Sequence, residues 1–306
     1  MRQQPGIRIT PAMWHPRYWA NWLGVALLWL VVQLPYGWQM ALGRSLGRLA
    51  MRLLKRRQQI ARRNLELVFP DLDYQEREQL LVRNFESVGC ALFETGMAWF
   101  WPDHRIRALM QVEGEEHVRA AVAAGQGMLL LSCHFLTLEL NTRMFGLLQP
   151  GSGVYRPNTN PVLEYIQVRG RTRTNGLVDR KDIKKMIKAL RQGEVLWYAP
   201  DHDYGRHASV FVPFFAVEQA ATITGTATLA RVKNCVVLPC YNLRLPQGGY
   251  RLVIGAPLEN YPTGDELQDA RRSNQVIEAA VRRAPEQYMW LHRRFKTRPE
   301  GQASLY

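Results

Sequence analysis

A histidine and a carboxylate lie five residues apart near the middle of the chain, His134 and Glu139. The apolar run from Met128 to Cys133 precedes the histidine and predicts a buried strand, and the residues after it predict a helix. Two residues at this offset do not share a face of one regular helix, so we expect His134 in the turn that precedes the helix. A carboxylate that accepts a hydrogen bond from one imidazole nitrogen fixes the tautomer and leaves the other nitrogen as a base.

The spacing therefore predicts a dyad in which Glu139 orients His134 and His134 deprotonates the hydroxyl of a substrate. The alternative interpretation is a buried histidine that caps a turn, with Glu139 on a solvated face.

Polar residues also follow two other predicted strands. Arg156 ends a short strand that begins at Gly153, and Asp201 and Asp203 follow the apolar strand of residues 194–199. Because loops beyond one edge of a sheet converge, we expect these side chains near His134. A fixed cation there would stabilise the oxyanion that forms when a hydroxyl attacks a thioester. Two simpler interpretations stay open: Arg156 only pairs with Asp201, or the segment from Asp201 to Asp203 is only a capped turn.

The chain offers little that is typical of a metal or cofactor site. Asp201 and Asp203 flank His202, but no further His or Glu at helical spacing completes a zinc site, so no metal is predicted. The glycine-rich nucleotide motifs, G-x-G-x-x-G and the P-loop, are missing from the sequence, so no cofactor is predicted. The four cysteines lack metal spacing and are typical of apolar residues in a reducing compartment: Cys90, Cys133, Cys235 and Cys240.

Positive charge is concentrated at the beginning of the chain. The net charge is +14, and residues 1–63 hold eleven Arg or Lys and no Asp or Glu, which leaves +3 for the remainder. This asymmetry indicates an anionic partner, either a membrane surface or nucleic acid. No base-reading motif accompanies the basic residues, so we predict a membrane and no nucleic acid.

The segment from Tyr18 to Tyr36 is uncharged, is flanked by aromatic residues and has about the length that crosses a bilayer. It predicts a transmembrane helix over residues 18–36, with a cleaved signal peptide or a buried core helix as alternatives. Basic residues recur every three or four positions from Arg44 to Arg57 and predict an amphipathic helix at the cytoplasmic face of the membrane. We therefore predict a membrane anchor over residues 1–63 and a catalytic domain over residues 64–306.

Strands alternate with helices beyond residue 110, which predicts an α/β fold with helices packed over a sheet. Several long stretches of this sequence resemble the lipid A biosynthesis lauroyltransferases of Gram-negative bacteria, a group of late acyltransferases with an His-x4-Asp/Glu motif. The matching stretches are HPRYW from His15, WLVVQLPY from Trp29, NFESVG from Asn84, ETGMAWFWPD from Glu94, HFLTLEL from His134, VYRPN from Val154, WYAPDHDYG from Trp197 and APEQYMWLHRRFKTRPEG from Ala284.

The resemblance implies a mixed central sheet with helices on both faces, as in glycerophosphate acyltransferases. It also implies a single-span enzyme of the cell inner membrane that faces the cytoplasm. The donor would be an acyl group, most often lauroyl, on acyl carrier protein, and the acceptor a 3-hydroxyacyl chain of (Kdo)2-lipid IVA. His134 and Glu139 would be catalytic, with Arg156, Arg171, Asp201 and Asp203 in the site.

Two other functions stay open at this point. A sister enzyme that transfers palmitoleoyl or myristoyl would carry the same motifs, because one methylene in an apolar pocket discriminates by only ~1–3 kcal/mol. A membrane-anchored lipid-binding or assembly factor without catalytic activity would need the basic arm but neither His134 nor Glu139.

Overall fold

The computed structural model describes residues 8–306. Its helices are α1 Trp19–Val31, α2 Tyr36–Leu53, α3 Lys55–Val68, α4 Tyr74–Phe100, α5 Asp103–Ala108, α6 Glu115–Ala123, α7 Leu138–Leu148, α8 Pro161–Arg171, α9 Ile183–Arg191, α10 Gly225–Ala230 and α11 Glu266–Arg283. The strands are β1 Met110–Glu113, β2 Gly127–Leu131, β3 Ser152–Tyr155, β4 Gly176–Asp179, β5 Val195–Tyr198, β6 Ser209–Phe214, β7 Val217–Ile223, β8 Cys235–Arg244 and β9 Tyr250–Ile254. Short 3-10 helices cover Pro11–Trp14, Pro16–Tyr18 and Pro285–Gln287.

Seven strands form one central sheet in the order β1-β9-β8-β2-β5-β3-β4, and β6 and β7 form a separate antiparallel pair. Every neighbouring pair in the central sheet is parallel except β8 with β9. The sheet is therefore mixed, as predicted. The parallel pairs align the carboxyl ends of β2, β5, β3 and β4 along one edge, where a site is expected in an α/β fold.

Strand β2 lies at the centre of the sheet and is buried on both faces. Leu129 and Leu131 belong to one hydrophobic cluster, whereas Met128 and Leu130 belong to another on the opposite face. A strand without alternation of apolar and polar residues has to be covered on both sides, which the helices do here. The predicted arrangement of helices on both faces is confirmed.

Helix α4 connects the two clusters, with Leu81 and Phe85 in one and Phe93 and Met97 in the other. The helix begins at a capping box in which the Asp73 side chain and the side chain of the third helical residue each accept a backbone N–H.

Glycines allow α2 to cross α4 at very short distance. A Cβ atom at Gly47 would lie 2.0 Å from the carbonyl oxygen of Phe85, and one at Gly89 would lie 1.9 Å from that of Gly43. Larger residues at these positions would separate the two helices. The crossing packs the basic helix α2 directly onto the body of the protein.

The predicted transmembrane helix over residues 18–36 is not supported by the structure. Helix α1 ends at Val31 and a turn leads to Pro35, the N-cap residue of α2, so two shorter helices replace one long helix. Among residues 8–306, no helix has both the length and the apolar character needed to cross a bilayer. The predicted amphipathic helix is likewise divided, because α2 ends at Leu53 and α3 begins at Lys55. Residues 1–7 of the predicted anchor lie outside the described residues.

Candidate active site

His134 lies three residues beyond β2, in the turn before α7, and its partner is Asp201. The register of the two parallel strands pairs Leu131 of β2 with Tyr198 of β5, and Asp201 likewise follows its strand by three residues. Asp201 Oδ1 lies 2.7 Å from His134 Nδ1, and Oδ2 accepts a hydrogen bond of 2.9 Å from the His134 backbone N–H. The carboxylate therefore holds both the ring and the backbone of the histidine.

This contact assigns the proton of the imidazole. An ionised Asp201 can only accept, so His134 Nδ1 carries the hydrogen and Nε2 presents a lone pair. Within residues 8–306, Nε2 has no hydrogen-bond partner, and the side chain is 23% exposed toward a cavity. Burial opposes the ionisation of Asp201, but the neighbouring His134 outweighs it, and the pKa of this carboxyl falls well below its ordinary value. The pair has the geometry of a general base with its orienting acid.

The predicted contact between His134 and Glu139 is wrong, because the structure directs Glu139 elsewhere. Residues 135–137 form a turn, so Glu139 lies in the first turn of α7, which packs against α4 and α8. There its carboxylate accepts hydrogen bonds from Arg171 Nε at 3.0 Å and from Trp99 Nε1 at 2.9 Å.

This buried ion pair determines the charge of Glu139. Burial opposes ionisation, but the Arg171 guanidinium outweighs it, so the pKa of Glu139 is lowered. Glu139 is thus the partner of a predicted site cation, and a catalytic role for either residue stays a prediction.

A tyrosine that the sequence analysis did not single out completes the environment of Asp201. The Tyr288 hydroxyl donates to Asp201 Oδ2 at 2.7 Å. Burial, followed by the charge of Asp201, raises the pKa of Tyr288 far above its ordinary value, so the phenol remains a donor. The segment around Tyr288 also holds the turn itself: the Met289 N–H donates to the His134 carbonyl, and the Leu136 N–H donates to the Gln287 carbonyl. Tyr288 lies in the stretch from Ala284 that resembles the acyltransferases, but the sequence does not show that this stretch contacts the turn at His134.

His134 is the first ring in a stack of three histidines, in which His202 is the middle ring and His292 the third. The rings of His134 and His202 lie 3.5 Å apart at 12°, and those of His202 and His292 lie 4.1 Å apart at 19°. Burial, followed by the nearby His134, lowers the pKa of His202 to about 3. Burial, followed by Lys296, lowers the pKa of His292 to about 4. His202 and His292 are therefore neutral at neutral pH, and the His202 ring, supported by His292, packs against the His134 ring.

His134, Asp201 and His202 are also the only group in the described part of the chain whose possible metal-ligand atoms cluster, within 4.8 Å of one another. The arrangement does not fit a metal ion. Asp201 already accepts from His134 and Tyr288, and the nearly parallel stacked rings direct their lone pairs side by side instead of toward one point. The absence of a metal stays a prediction that this geometry favours.

The structure separates the remaining predicted site residues. Arg156 is exposed at the cavity and pairs neither with Asp201 nor with another residue between positions 8 and 306. Asp203 is buried beside the same cavity, but its carboxylate accepts from the Thr297 N–H and hydroxyl, each at 2.7 Å, and from the Gly205 N–H. Asp203 therefore closes a turn at Gly205 and fastens it to the C-terminal segment. The segment from Asp201 to Asp203 is thus more than a capped turn, because Asp201 binds His134.

A cavity of about 800 Å³ opens beside His134. Its buried end is mostly apolar and is lined by Leu130, Phe145, Leu177, Val195 and Trp197. Its outer end is basic and includes the exposed side chains of Arg156, Arg180, Lys181 and Lys296. His134 and Arg171 line the same cavity. The space can hold an amphiphile with its chain inside and its charged group outside.

Comparison with known proteins identifies the family of the chain. Residues 8–297 match the family described as bacterial lipid A biosynthesis acyltransferase. The chain belongs to this family.

Among individual relatives, the lipid A biosynthesis lauroyltransferase of Escherichia coli K12 is 56% identical over 301 residues, which cover 98% of each chain. The lipid A biosynthesis palmitoleoyltransferase of the same organism is 47% identical over 304 residues and 99% of each chain. The crystal structure of the 1-acyl-sn-glycerophosphate acyltransferase PlsC of Thermotoga maritima aligns with a TM-score of 0.40 and 15% identity, over 79% of this chain and 98% of that one. As a lipid A biosynthesis acyltransferase, the protein is an enzyme of the class that the sequence predicted.

Proposed function

We propose that this acyltransferase moves a lauroyl group from acyl carrier protein to a hydroxyl of a 3-hydroxyacyl chain of (Kdo)2-lipid IVA. The observation that carries the proposal is the His134–Asp201 pair beside a cavity with an apolar inner end and a basic outer end. Such a site suits a reaction between a lipid hydroxyl and an acyl thioester, and it needs no nucleophile from the protein.

The proposed reaction has two steps. His134 Nε2 takes the proton of the acceptor hydroxyl while the hydroxyl oxygen attacks the carbonyl carbon of the thioester. The C–S bond of the tetrahedral intermediate then breaks, the acyl group remains on the acceptor as an ester, and the thiolate takes the proton back from His134. Asp201 stabilises the imidazolium between these steps, because its ionised carboxylate lies 2.7 Å from Nδ1.

The negative charge on the carbonyl oxygen of the intermediate needs a fixed donor. Arg171 lines the cavity and is held by Glu139, so it offers a guanidinium that does not have to be ordered during the reaction. We assign the oxyanion contact to Arg171 and a contact with the phosphate of a substrate to the exposed Arg156.

The apolar inner end of the cavity suits the acyl chain of the donor. We favour lauroyl because the relative named as a lauroyltransferase is 56% identical over nearly the whole chain, compared with 47% for the palmitoleoyltransferase. Transfer of palmitoleoyl or myristoyl by the same site is the alternative outcome of the test below.

The proposed location is the cytoplasmic face of the inner membrane, with α1 and α2 embedded in the lipid interface. Each helix carries an exposed apolar stripe, which consists of Trp19, Leu23, Leu27 and Leu30 on α1 and of Trp38, Leu42, Leu46, Leu49 and Leu53 on α2. Of the eight basic residues of positions 44–63, Arg48, Arg62 and Arg63 pair with glutamates, and the other five would each add ~1 kcal/mol near an anionic leaflet. Interfacial embedding of this kind replaces the predicted single span.

The test is an assay with purified protein, (Kdo)2-lipid IVA and an equimolar mixture of lauroyl, myristoyl and palmitoleoyl carriers, with the product analysed by mass spectrometry. We expect mainly the addition of one lauroyl group. His134→Ala should abolish this product without changing the circular dichroism spectrum. His104→Ala is the matched control, because His104 is exposed on α5 and does not line the cavity.

Full turnover by His134→Ala would overturn the mechanism and favour a binding or assembly factor. A product that carries mainly palmitoleoyl or myristoyl would retain the mechanism and change the donor.

A further inference from the structure

One exposed surface is strongly basic, and we call it the α9 face. It consists of Arg180, Lys181, Lys184, Lys185, Lys188 and Arg191 with the exposed Ile183 among them. We propose that the α9 face is the docking surface for the acidic protein that carries the acyl thioester. This inference rests on the proposed function and assigns the partner of that reaction to a place on the molecule.

The basic side chains of the α9 face are not used within the protein. None of the six forms an ion pair or a side-chain hydrogen bond with a residue of the range 8–306. The two carboxylates within this segment bind backbone groups: Asp179 accepts from the Lys181 N–H at 2.8 Å, and Asp182 accepts from the Lys185 N–H at 3.0 Å. The positive charge is therefore open to a partner.

The helix beneath these residues is firmly held. Met186, Ala189 and Leu190 of α9 are buried in contact with the sheet, next to β2 and β5. The alternation of buried and basic positions leaves Lys184, Lys185 and Lys188 on the outward side of α9, and Lys181 is exposed in the turn before the helix. A rigid basic helix of this kind matches a rigid acidic helix, since both charge patterns are fixed before contact.

Ile183 gives the face an apolar contact as well as charge. Its side chain is 52% exposed in the first turn of α9, among the basic residues. A nucleic acid or a free phosphate would gain little from an exposed isoleucine, whereas protein interfaces combine apolar contacts with a charged rim. This residue favours a folded acidic protein as the partner.

The face continues into the cavity. Arg180 and Lys181 belong both to the α9 face and to the cavity lining, on the same side as Tyr155 and Arg156. A carrier bound to α9 can therefore extend its thioester-bearing arm past Arg180 toward His134, with the acyl chain at the apolar inner end.

The experiment compares two triple variants, each of which replaces three positive charges by three negative ones. The test variant is Lys184→Glu/Lys185→Glu/Lys188→Glu, and none of its three residues lines the cavity. The control variant is Arg231→Glu/Lys233→Glu/Arg271→Glu, whose residues are exposed, lie outside the α9 face and do not line the cavity. For each protein we measure kcat/KM with lauroyl carrier protein and with lauroyl pantetheine, a thioester without the protein.

We call kcat/KM with lauroyl carrier protein divided by kcat/KM with lauroyl pantetheine the donor ratio. We expect the test variant to lower the donor ratio about tenfold at low salt, because charge reversal slows an electrostatically steered encounter. We expect this loss to shrink as salt is raised and to be absent in the control variant. An equal ratio in the wild type and in both variants would overturn the inference while the transfer reaction itself stands. If the wild type transfers lauroyl from neither donor, the proposed function fails instead.

Lipid is the competing ligand, and binding to phosphatidylglycerol vesicles distinguishes it. Loss of vesicle binding by the test variant with no change in the donor ratio would assign the α9 face to the membrane and overturn the inference.

Discussion

The side chain that contacts His134 determines which of its ring nitrogens can act as a base. Asp201 takes this position, with its Oδ1 2.7 Å from His134 Nδ1, whereas the Glu139 carboxylate pairs with Arg171. Two carboxylates thus have different tasks, one at the base and one at a cation. The sequence motif links His134 with Glu139 by spacing, yet the chain turns between them and the contact passes to a residue 67 positions later.

Asp201→Asn should separate these tasks. The amide would retain the volume but favour the wrong tautomer of His134, so we expect kcat to fall by about 10²–10⁴-fold with little change in the KM of either substrate. Steady-state assays with lauroyl carrier protein measure both constants. Asp203→Asn is the control, because the Asp203 carboxylate accepts hydrogen bonds from Thr297 and Gly205 and does not contact His134. This variant should lower the melting temperature and leave kcat close to that of the wild type.

Unchanged kcat in Asp201→Asn, together with a loss of several orders of magnitude in Glu139→Gln, would restore the His134–Glu139 dyad and contradict the assignment.

The histidine stack gives the folded protein a characteristic response to acid. The pKa of His202 is about 3 in the fold, compared with ~6.5 in an unfolded chain. Below pH 6.5 the unfolded chain therefore binds a proton that the folded protein does not. Stability is highest above this pH and falls as the pH approaches the folded value.

We expect His202→Gln to lose less stability than the wild type between pH 6.5 and pH 4, by at most ~1.4 kcal/mol per pH unit. Urea unfolding at several pH values measures this slope, with the exposed His104→Ala as control. Parallel slopes for the wild type and His202→Gln would show that His202 titrates normally in the fold.

At the scale of elements, the strand ends were predictable and their pairing was not. The apolar runs indicated β2 and β5, and the polar residues after them indicated a shared edge. The decisive fact is the register, Leu131 opposite Tyr198, which depends on contacts distant in sequence. The same limit applies to Tyr288, because only the packed C-terminal segment brings it to Asp201.

Helix ends were also only partly predictable. The capping signals of α4 and α8 are readable in the sequence, because Asp73 and Asn160 are typical N-cap residues and each caps its helix here. The break between α1 and α2 depends on Pro35 and on the turn at Val32, within a segment whose composition alone indicates one long apolar helix.

Strand β3 offers a place to change the length of the bound chain. Gly153 lines the cavity, and a Cβ at this position would meet only Leu177 Cδ2, at an ordinary contact distance of 3.7 Å. A side chain here can therefore fit and will occupy part of the cavity. Gly151 differs, because its Cβ would lie 2.6 Å from Val195 Cβ and would disturb the sheet.

Gly153→Val should move donor preference from lauroyl toward decanoyl, since each methylene that loses its apolar contact costs ~0.8 kcal/mol. Competition between the two carriers, analysed by mass spectrometry, gives the ratio of products directly. A folded and active Gly153→Val with the donor preference of the wild type would place the acyl chain outside this part of the cavity.

At the scale of the whole molecule, exposed apolar residues are concentrated in α1 and α2, and basic residues follow in α2 and α3. Of the exposed large apolar residues in the described chain, about half lie between Trp19 and Leu54. Helix α2 also crosses α4 through glycines, so the exposed stripe is fixed to the catalytic body. A lipid surface that covers this stripe would hold the cavity at a constant height above the acyl chains of the acceptor.

Replacement of exposed leucines in the apolar stripe of α2 by charged residues should therefore weaken the binding of the protein to membranes. We expect Leu42→Glu/Leu46→Glu/Leu49→Glu to bind phosphatidylglycerol vesicles at least tenfold more weakly than the wild type, because three exposed leucines lose their apolar contact and three negative charges face an anionic surface. Co-sedimentation at several lipid concentrations measures the affinity. The control replaces Val122 and Leu267, which are exposed on α6 and α11, by Glu, and it should bind as the wild type does. Equal binding by the α2 variant and the wild type would mean that another surface holds the enzyme at the bilayer.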